Sequence, residues 1–318
     1  MTYDLSLLQS LLETGIFLAT PIMFASLGIL TAELAGVYNF GMEGIMLLGA
    51  IASFLGTLIL KSVVIGIAIG LITGVAVGAL IAYFEVTLGA DQLILTIALL
   101  IIGPSLSDYL HGVYVASIGG LSASVKTFPY IPIPYFSALP IIGSFFDQTL
   151  ITYILYVVVV CAHIFFYHTK LGLKYRSVGM DPMVADAMGI NVILVRYLAL
   201  IISSILGAFG GIAVIIGETG YWSTDITAGA GIIAIALVRV GNWRTHFIYL
   251  AAIVLNIIVA YGSYLTVLYS SGGYSSGSFP YEVFNMIPYI FAIIVIVISF
   301  KWARSNEPTS LGKPYKRG

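Results

Sequence analysis

Apolar residues in this chain gather into runs of membrane length, not into the short amphipathic stripes of a soluble fold. A spanning helix needs about 20 apolar residues in succession. Such runs lie near residues 13–33, 41–60, 63–84, 92–110, 150–168, 192–217, 226–241, 246–269 and 282–301. The run at 226–241 is short for a span. The pattern therefore predicts an all-α integral membrane protein of about nine transmembrane helices, with eight to ten as the range. A membrane domain over residues 1–301 and a tail at 302–318 are expected.

The longest polar interruption is 168–191, between two of these runs. Asp181 is a good helix N-cap, because its carboxylate can accept from an orphan N–H of the first turn. Pro182 then occupies the first helical position, where its missing N–H costs nothing. Gly189 supplies the left-handed residue that ends the helix. A short capped helix in a loop of a membrane protein suits docking to a soluble partner.

The basic residues set the orientation. Of the 13 lysines and arginines, all but Lys61 and Lys126 fall on one side of this scheme, which makes that side cytoplasmic. The 168–191 loop and the C-terminal tail are then inside, and with nine spans the N-terminus is outside. The segment at 111–149 is outside and carries Pro129, Pro132, Pro134 and Pro140. It should be extended rather than helical, either as a lid or docking platform or as an ordinary ordered loop.

Composition agrees with the pattern. The 318 residues are 60% hydrophobic and 8% charged, with a mean hydropathy of +1.06, against about 25% charged in a soluble domain. The net charge of -1 offers no basic domain to nucleic acid. The one cysteine, Cys161, lies in an apolar run, so neither a disulfide framework nor a thiolate metal site is expected. No basic stretch precedes the first apolar run, so a cleaved leader is not expected. Gly66, Gly70, Gly74 and Gly78 recur every four positions and should line one helix face for close packing.

No zinc-protease, Walker A or nucleophile-elbow motif is present, and the four histidines are scattered. Catalytic residues, metal ligands and a bound cofactor are therefore not expected. If transport needs ATP, another chain must hydrolyse it. Two segments break the apolar pattern at membrane depth, 33–44 and 217–231, each with an acid, polar groups and glycines ahead of an apolar run. Glycine-interrupted helix starts expose backbone N–H groups suited to hydroxyl-rich or anionic ligands. The spans they begin run in opposite directions, which suggests an inverted repeat. Glu43 would bind a polar substrate or cap the helix start it sits in. Glu33 and Glu85 should be solvated or paired with basic residues, Glu218 and Asp225 should be caps or loop ion pairs, and Asp108 and Glu282 interfacial. Tyr221 and Trp222 read as interfacial anchors.

The run Gly36-Val-Tyr-Asn-Phe-Gly-Met-Glu-Gly-Ile-Met-Leu-Leu-Gly-Ala50 resembles the Gly-Val-x-Asn-x-Gly-x-Glu-Gly-Met-Met-Leu-x-Gly-Ala signature of nucleoside-type ABC importer permeases. Thr227-Ala-Gly-Ala-Gly-Ile-Ile-Ala-Ile-Ala236 is similar to a second motif of that family, with Ala230 where many relatives have Arg. The 168–192 loop resembles the ATPase-coupling loop shared with simple-sugar and branched-chain amino-acid permeases. The resemblance covers nearly the whole chain. It implies a plasma-membrane permease with a second permease subunit, alike or different, two cytoplasmic ATPases and an extracellular substrate-binding protein. Asn39, Glu43, Thr227 and Gly229 are the candidate pathway residues. Lys174, Arg176, Gly179, Asp181, Pro182, Ala185 and Gly189 are the candidate ATPase-coupling residues.

Import of nucleosides or related sugar-containing solutes is the leading expectation, with branched-chain amino acids or monosaccharides as the fallback. An ion-gradient-driven secondary transporter or channel would also account for the intramembrane acids, though not for the capped loop. A scaffold subunit is the third class.

Overall fold

A computed structural model describes residues 2–118, 123–137, 139–271, 286, 290 and 306–315. In chain order the helices are α1 (Thr2–Leu34), α2 (Met42–Leu60), α3 (Val63–Ala82), α4 (Gln92–Ile118), α5 (Leu150–His168), α6 (Lys170–Met180), α7 (Pro182–Ala187), α8 (Val192–Ile212), α9 (Ala230–Val240) and α10 (Thr245–Ser271). Among the described residues, 7 helices are long and apolar enough to cross a membrane. The expected span at 282–301, with Glu282, lies outside the described residues apart from Met286 and Ile290.

The expected span at 226–241 is not one. α9 has 11 residues, about 16 Å at 1.5 Å per residue, roughly half of the ~30 Å hydrocarbon core. It is shortened because the chain ahead of it turns, with Asp225, Ala228 and Gly229 at positive φ. The Pro-rich outer segment is partly extended, as expected. It contributes two short antiparallel strands, β1 (Tyr130–Pro132) and β2 (Asp147–Thr149), in register with Tyr130 opposite Thr149. Gln148 Nε2 donates to the Glu13 carbonyl, which fastens this pair near the start of α1, the end of the bundle remote from the 168–191 loop.

α1, α2 and α8 are mostly buried, whereas α4 and α5 present most of their surface outward, as lipid-facing helices must. The glycine row on α3 does what its spacing predicts. A Cβ on Gly66 would lie 2.0 Å from Thr57 Oγ1, on Gly74 2.9 Å from the Ser204 carbonyl and on Gly78 2.9 Å from that of Leu200. Only a bare backbone lets α3 approach α2 and α8 so closely.

Two helices end in wide π-helical turns, Tyr83–Thr87 after α3 and Ala213–Thr219 after α8. Each turn holds an acid, Glu85 or Glu218, with a buried side-chain oxygen that has no hydrogen-bond partner among the described residues. Of the two states expected for Glu85, solvated or beside a basic residue, burial rules out the first, and its cationic neighbour is Arg196. Glu33 is not solvated either. It is 1% exposed and accepts from Trp243 Nε1 at 2.6 Å, because the turn after α9 folds back onto the end of α1.

Candidate transport site and coupling surface

The first broken segment turns at Gly36 (φ +82°) and re-enters the bundle before α2 begins. The Tyr38 N–H donates to Gln92 Oε1 at 3.0 Å, and Asn39 Nδ2 donates to Ser203 Oγ at 3.0 Å. Asn39 Oδ1 is buried without a partner among the described residues.

Glu43 in the first turn of α2 reaches across to the start of α9. Its Oε1 accepts from Thr227 Oγ1 and from the Gly229 N–H at 3.2 Å, while Oε2 accepts from the Gly231 N–H at 2.6 Å. The first N–H groups of a helix have no intrahelical partner, and a carboxylate is the best neighbour for that positive end. Glu43 is thus a cap, yet of α9 and not of the helix it sits in. Gly231 allows the contact, since a Cβ there would lie 2.5 Å from the Glu43 backbone nitrogen. From this junction α2 runs toward Phe54, which packs on Trp222, whereas α9 runs toward Trp243 and Glu33 at the other end. The full-length α2 and the half-length α9 diverge from a shared start.

Of the candidate pathway residues, the fold brings Glu43, Thr227 and Gly229 into one hydrogen-bonded cluster and places Asn39 on Ser203 instead. Trp222 is not a lipid-facing anchor. It is buried, donates from Nε1 to Asp108 Oδ1 at 3.2 Å and stacks on His111 at 5.8 Å. Tyr221 is exposed, as an anchor should be. Asp225 is also exposed, in the turn ahead of α9, while Glu218 is half-buried with its Oε1 enclosed.

The 168–191 loop is more ordered than its sequence suggested: α6 precedes the predicted capped helix. Thr169 Oγ1 accepts from the Gly172 N–H at 2.9 Å and starts α6. Asp181 Oδ1 accepts from the N–H groups of Met183 and Val184 at 3.0 and 3.1 Å and starts α7 at Pro182. Gly189 ends it at φ +80°. Tyr175 anchors α6 by donating to the Thr31 carbonyl at 2.9 Å, and burial pushes its phenol pKa well above the ordinary value. A Cβ on Gly179 would lie 2.2 Å from the Leu34 carbonyl, so α6 rests directly on the end of α1.

Among the candidate coupling residues, Lys174 and Asp181 are exposed and Arg176 is half-buried over the Tyr167 ring at 5.1 Å. Ala185 points inward against Val178 and Val192. The outward face belongs instead to Leu171, Leu173, Met180, Met183, Val184 and Met188, all exposed. Leu173, Met180, Val184 and Met188 border a groove of about 400 Å³. The tail fastens this surface to the broken segment. The Ser310 N–H donates to the Gly179 carbonyl at 3.1 Å and the Gly312 N–H to that of Gly36 at 3.3 Å, while Arg196 Nη1 donates to the Lys313 carbonyl at 3.1 Å.

Residues 11–298 match the sequence model of a family described as branched-chain amino acid transport system / permease component. The chain belongs to that family. It is similar to the putative glucose ABC transporter permease protein TsgC13 of Haloferax volcanii, 32% identical over 71% of this chain and 69% of that one. The nucleoside ABC transporter permease protein NupC of Lactococcus lactis is 31% identical over 70% of this chain and 73% of its own length. The guanosine ABC transporter permease protein NupQ of Bacillus subtilis is 31% identical, covering 64% and 66%. No solved structure matches the chain significantly. This is therefore a multi-pass membrane permease subunit of an ABC importer and not an enzyme. Such permeases work with ATPase subunits and substrate-binding proteins.

Proposed function

We propose that this permease carries nucleosides or related sugar-containing solutes across the plasma membrane, driven by cytoplasmic ATPases that grip α6 and α7. The observation that carries the reading is the exposed apolar face of that loop. Six large apolar side chains on and just after two capped helices have no reason to face water unless a protein covers them. The loop and the C-terminal tail lie in the cytoplasm in this reading, an extracellular binding protein delivers solute at the opposite end, and a second permease subunit completes the pathway. The sugar-containing solute class rests on the Gly36–Ala50 motif and on relatives named for nucleoside, guanosine and glucose transport.

Asn39, Glu43, Thr227 and Gly229 stand where α2 and α9 begin, at membrane depth. An ATPase-driven shift of α6 would reach this junction through Gly179, the tail and Gly36, and switch the pathway between two states. The chain itself holds no cofactor in this scheme; ATP is hydrolysed by the partner subunits.

The test is uptake in proteoliposomes. The permease, with its ATPases and binding protein, should accumulate labelled nucleoside only with ATP inside the ATPase compartment. Accumulation by the chain alone under an ion gradient would overturn the ATPase-driven reading. Preference for leucine over nucleosides and glucose would overturn the solute class.

A further inference from the structure

At the loop end of the bundle, α5, α6 and α10 surround a cleft of about 430 Å³. Its charged lining is Arg176 and Arg244, with His163, His246 and Asn306 as further polar groups beside Tyr167 and Trp243. No carboxylate lines it among the described residues. The nearby acids are engaged elsewhere, Glu33 with Trp243 Nε1 and Glu307 with Arg239 at 3.6 Å. Arg176 Nε and His163 Nδ1 are buried and have no hydrogen-bond partner among the described residues. Arg176 Nε is a donor in every state of the side chain, and a donor held in a pocket without an acceptor is costly, so the cleft favours an anion.

The histidines were scattered in sequence, yet the fold gathers them. His163 lies 5.4 Å, ring centre to ring centre, from both His168 and His246, in edge-to-face contact. They form no metal-holding group among the described residues. They bridge α5 and α10 near the ends of their spans, Leu150–His168 and Thr245–Leu265, which is headgroup depth. On the same two helices Val160, Ile164, Phe247 and Leu250 are exposed and apolar. Those side chains offer a surface for acyl chains beside the cationic cleft.

We propose that this cleft is a binding site for a phosphate group, presented by an anionic phospholipid. Arg176 and Arg244 supply the charge, and His163 and His246 supply further N–H donors. Basic pockets between transmembrane helices are suited to such headgroups, and each Arg near the surface is worth about fivefold in affinity. Arg176 and Met180 also border the groove on the coupling helices, so a bound lipid would stand against the surface proposed to meet the ATPase.

Native mass spectrometry of the purified full chain, exchanged into mixtures of phosphatidylglycerol and phosphatidylcholine, reads this directly. Wild type should retain phosphatidylglycerol preferentially. Arg244→Gln should cut that preference about fivefold, and Arg244→Lys, which keeps the charge, should largely preserve it. Titration with inorganic phosphate and with a soluble nucleotide separates the sources. Saturable binding of either, lost in Arg244→Gln, supports the phosphate site with a soluble ligand. Equal retention of the two lipids together with no binding of soluble phosphate overturns the proposal. An identical loss in Arg244→Lys and Arg244→Gln would overturn it too, since position 244 would then act through packing.

Discussion

The carboxylate of Glu43 and the backbone N–H of Gly231 meet at 2.6 Å, joining the start of one broken helix to the start of another 188 residues later. From this contact α2 leads toward Phe54 beside Trp222 and α9 toward Trp243 beside Glu33, at opposite ends of the bundle.

Gly231→Ala tests the close approach. Its new Cβ would fall within 2.6 Å of both the Glu43 nitrogen and Cα, so α9 must move off α2. Overpacking of this kind costs about 1–3 kcal/mol. A lower melting temperature in detergent and strongly reduced uptake are expected, and wild-type values in both would show that the helices are not so closely set.

Glu43→Gln keeps the shape and removes the charge. Hydrogen bonds to a charged group contribute about 1.5–3 kcal/mol against 0.5–1.5 for neutral ones, and the amide cannot accept at both ends. A loss of about 1–2 kcal/mol in stability is expected, with slower transport. Unchanged rate and solute preference would remove Glu43 from the working part of the pathway.

Met183→Asp and Met188→Asp alter exposed side chains on and after α7 and should leave folding within about 0.5 kcal/mol. They should nevertheless uncouple uptake from ATP hydrolysis by disrupting the apolar face. Ala185→Asp should instead destabilise the loop itself, since Ala185 is packed against Val178 and Val192. ATPase stimulation and thermal melts, measured side by side, separate the two effects. Full coupling in Met188→Asp would move the docking surface elsewhere.

Trp243→Phe removes the indole N–H that Glu33 accepts while keeping an aromatic ring beneath Arg239. An orphaned buried acceptor costs about 1–3 kcal/mol. The melting temperature should drop accordingly, and Glu33→Gln should restore part of it in the double variant. A double-variant loss equal to the sum of the two single losses would indicate that the pair does not interact.

Much of this protein was legible along the chain because the signals are local. A membrane span is a run of apolar residues, and the α7 cap is three residues of stereochemistry at Asp181, Pro182 and Gly189. The α3 glycine row is a period of four. Each depends on neighbours within a few turns, so the amino-acid order alone determined seven spans within the described residues, the capped loop and the tight face of α3. It also carried the family motifs at Gly36–Ala50 and Thr227–Ala236.

Partnership across the bundle was decided by tertiary structure. The composition at 226–241 looks like a span, yet the turn at 225–229 and the Glu43 carboxylate make α9 a half-helix. Thr227 is 184 residues from Glu43, Trp222 is 114 from Asp108, and Trp243 is 210 from Glu33. A buried polar group takes whichever partner the packing of helices delivers, and that packing is summed over apolar contacts from the entire chain. For the same reason the scattered histidines become a cluster, and Ala185 faces inward while the methionines beside it face out.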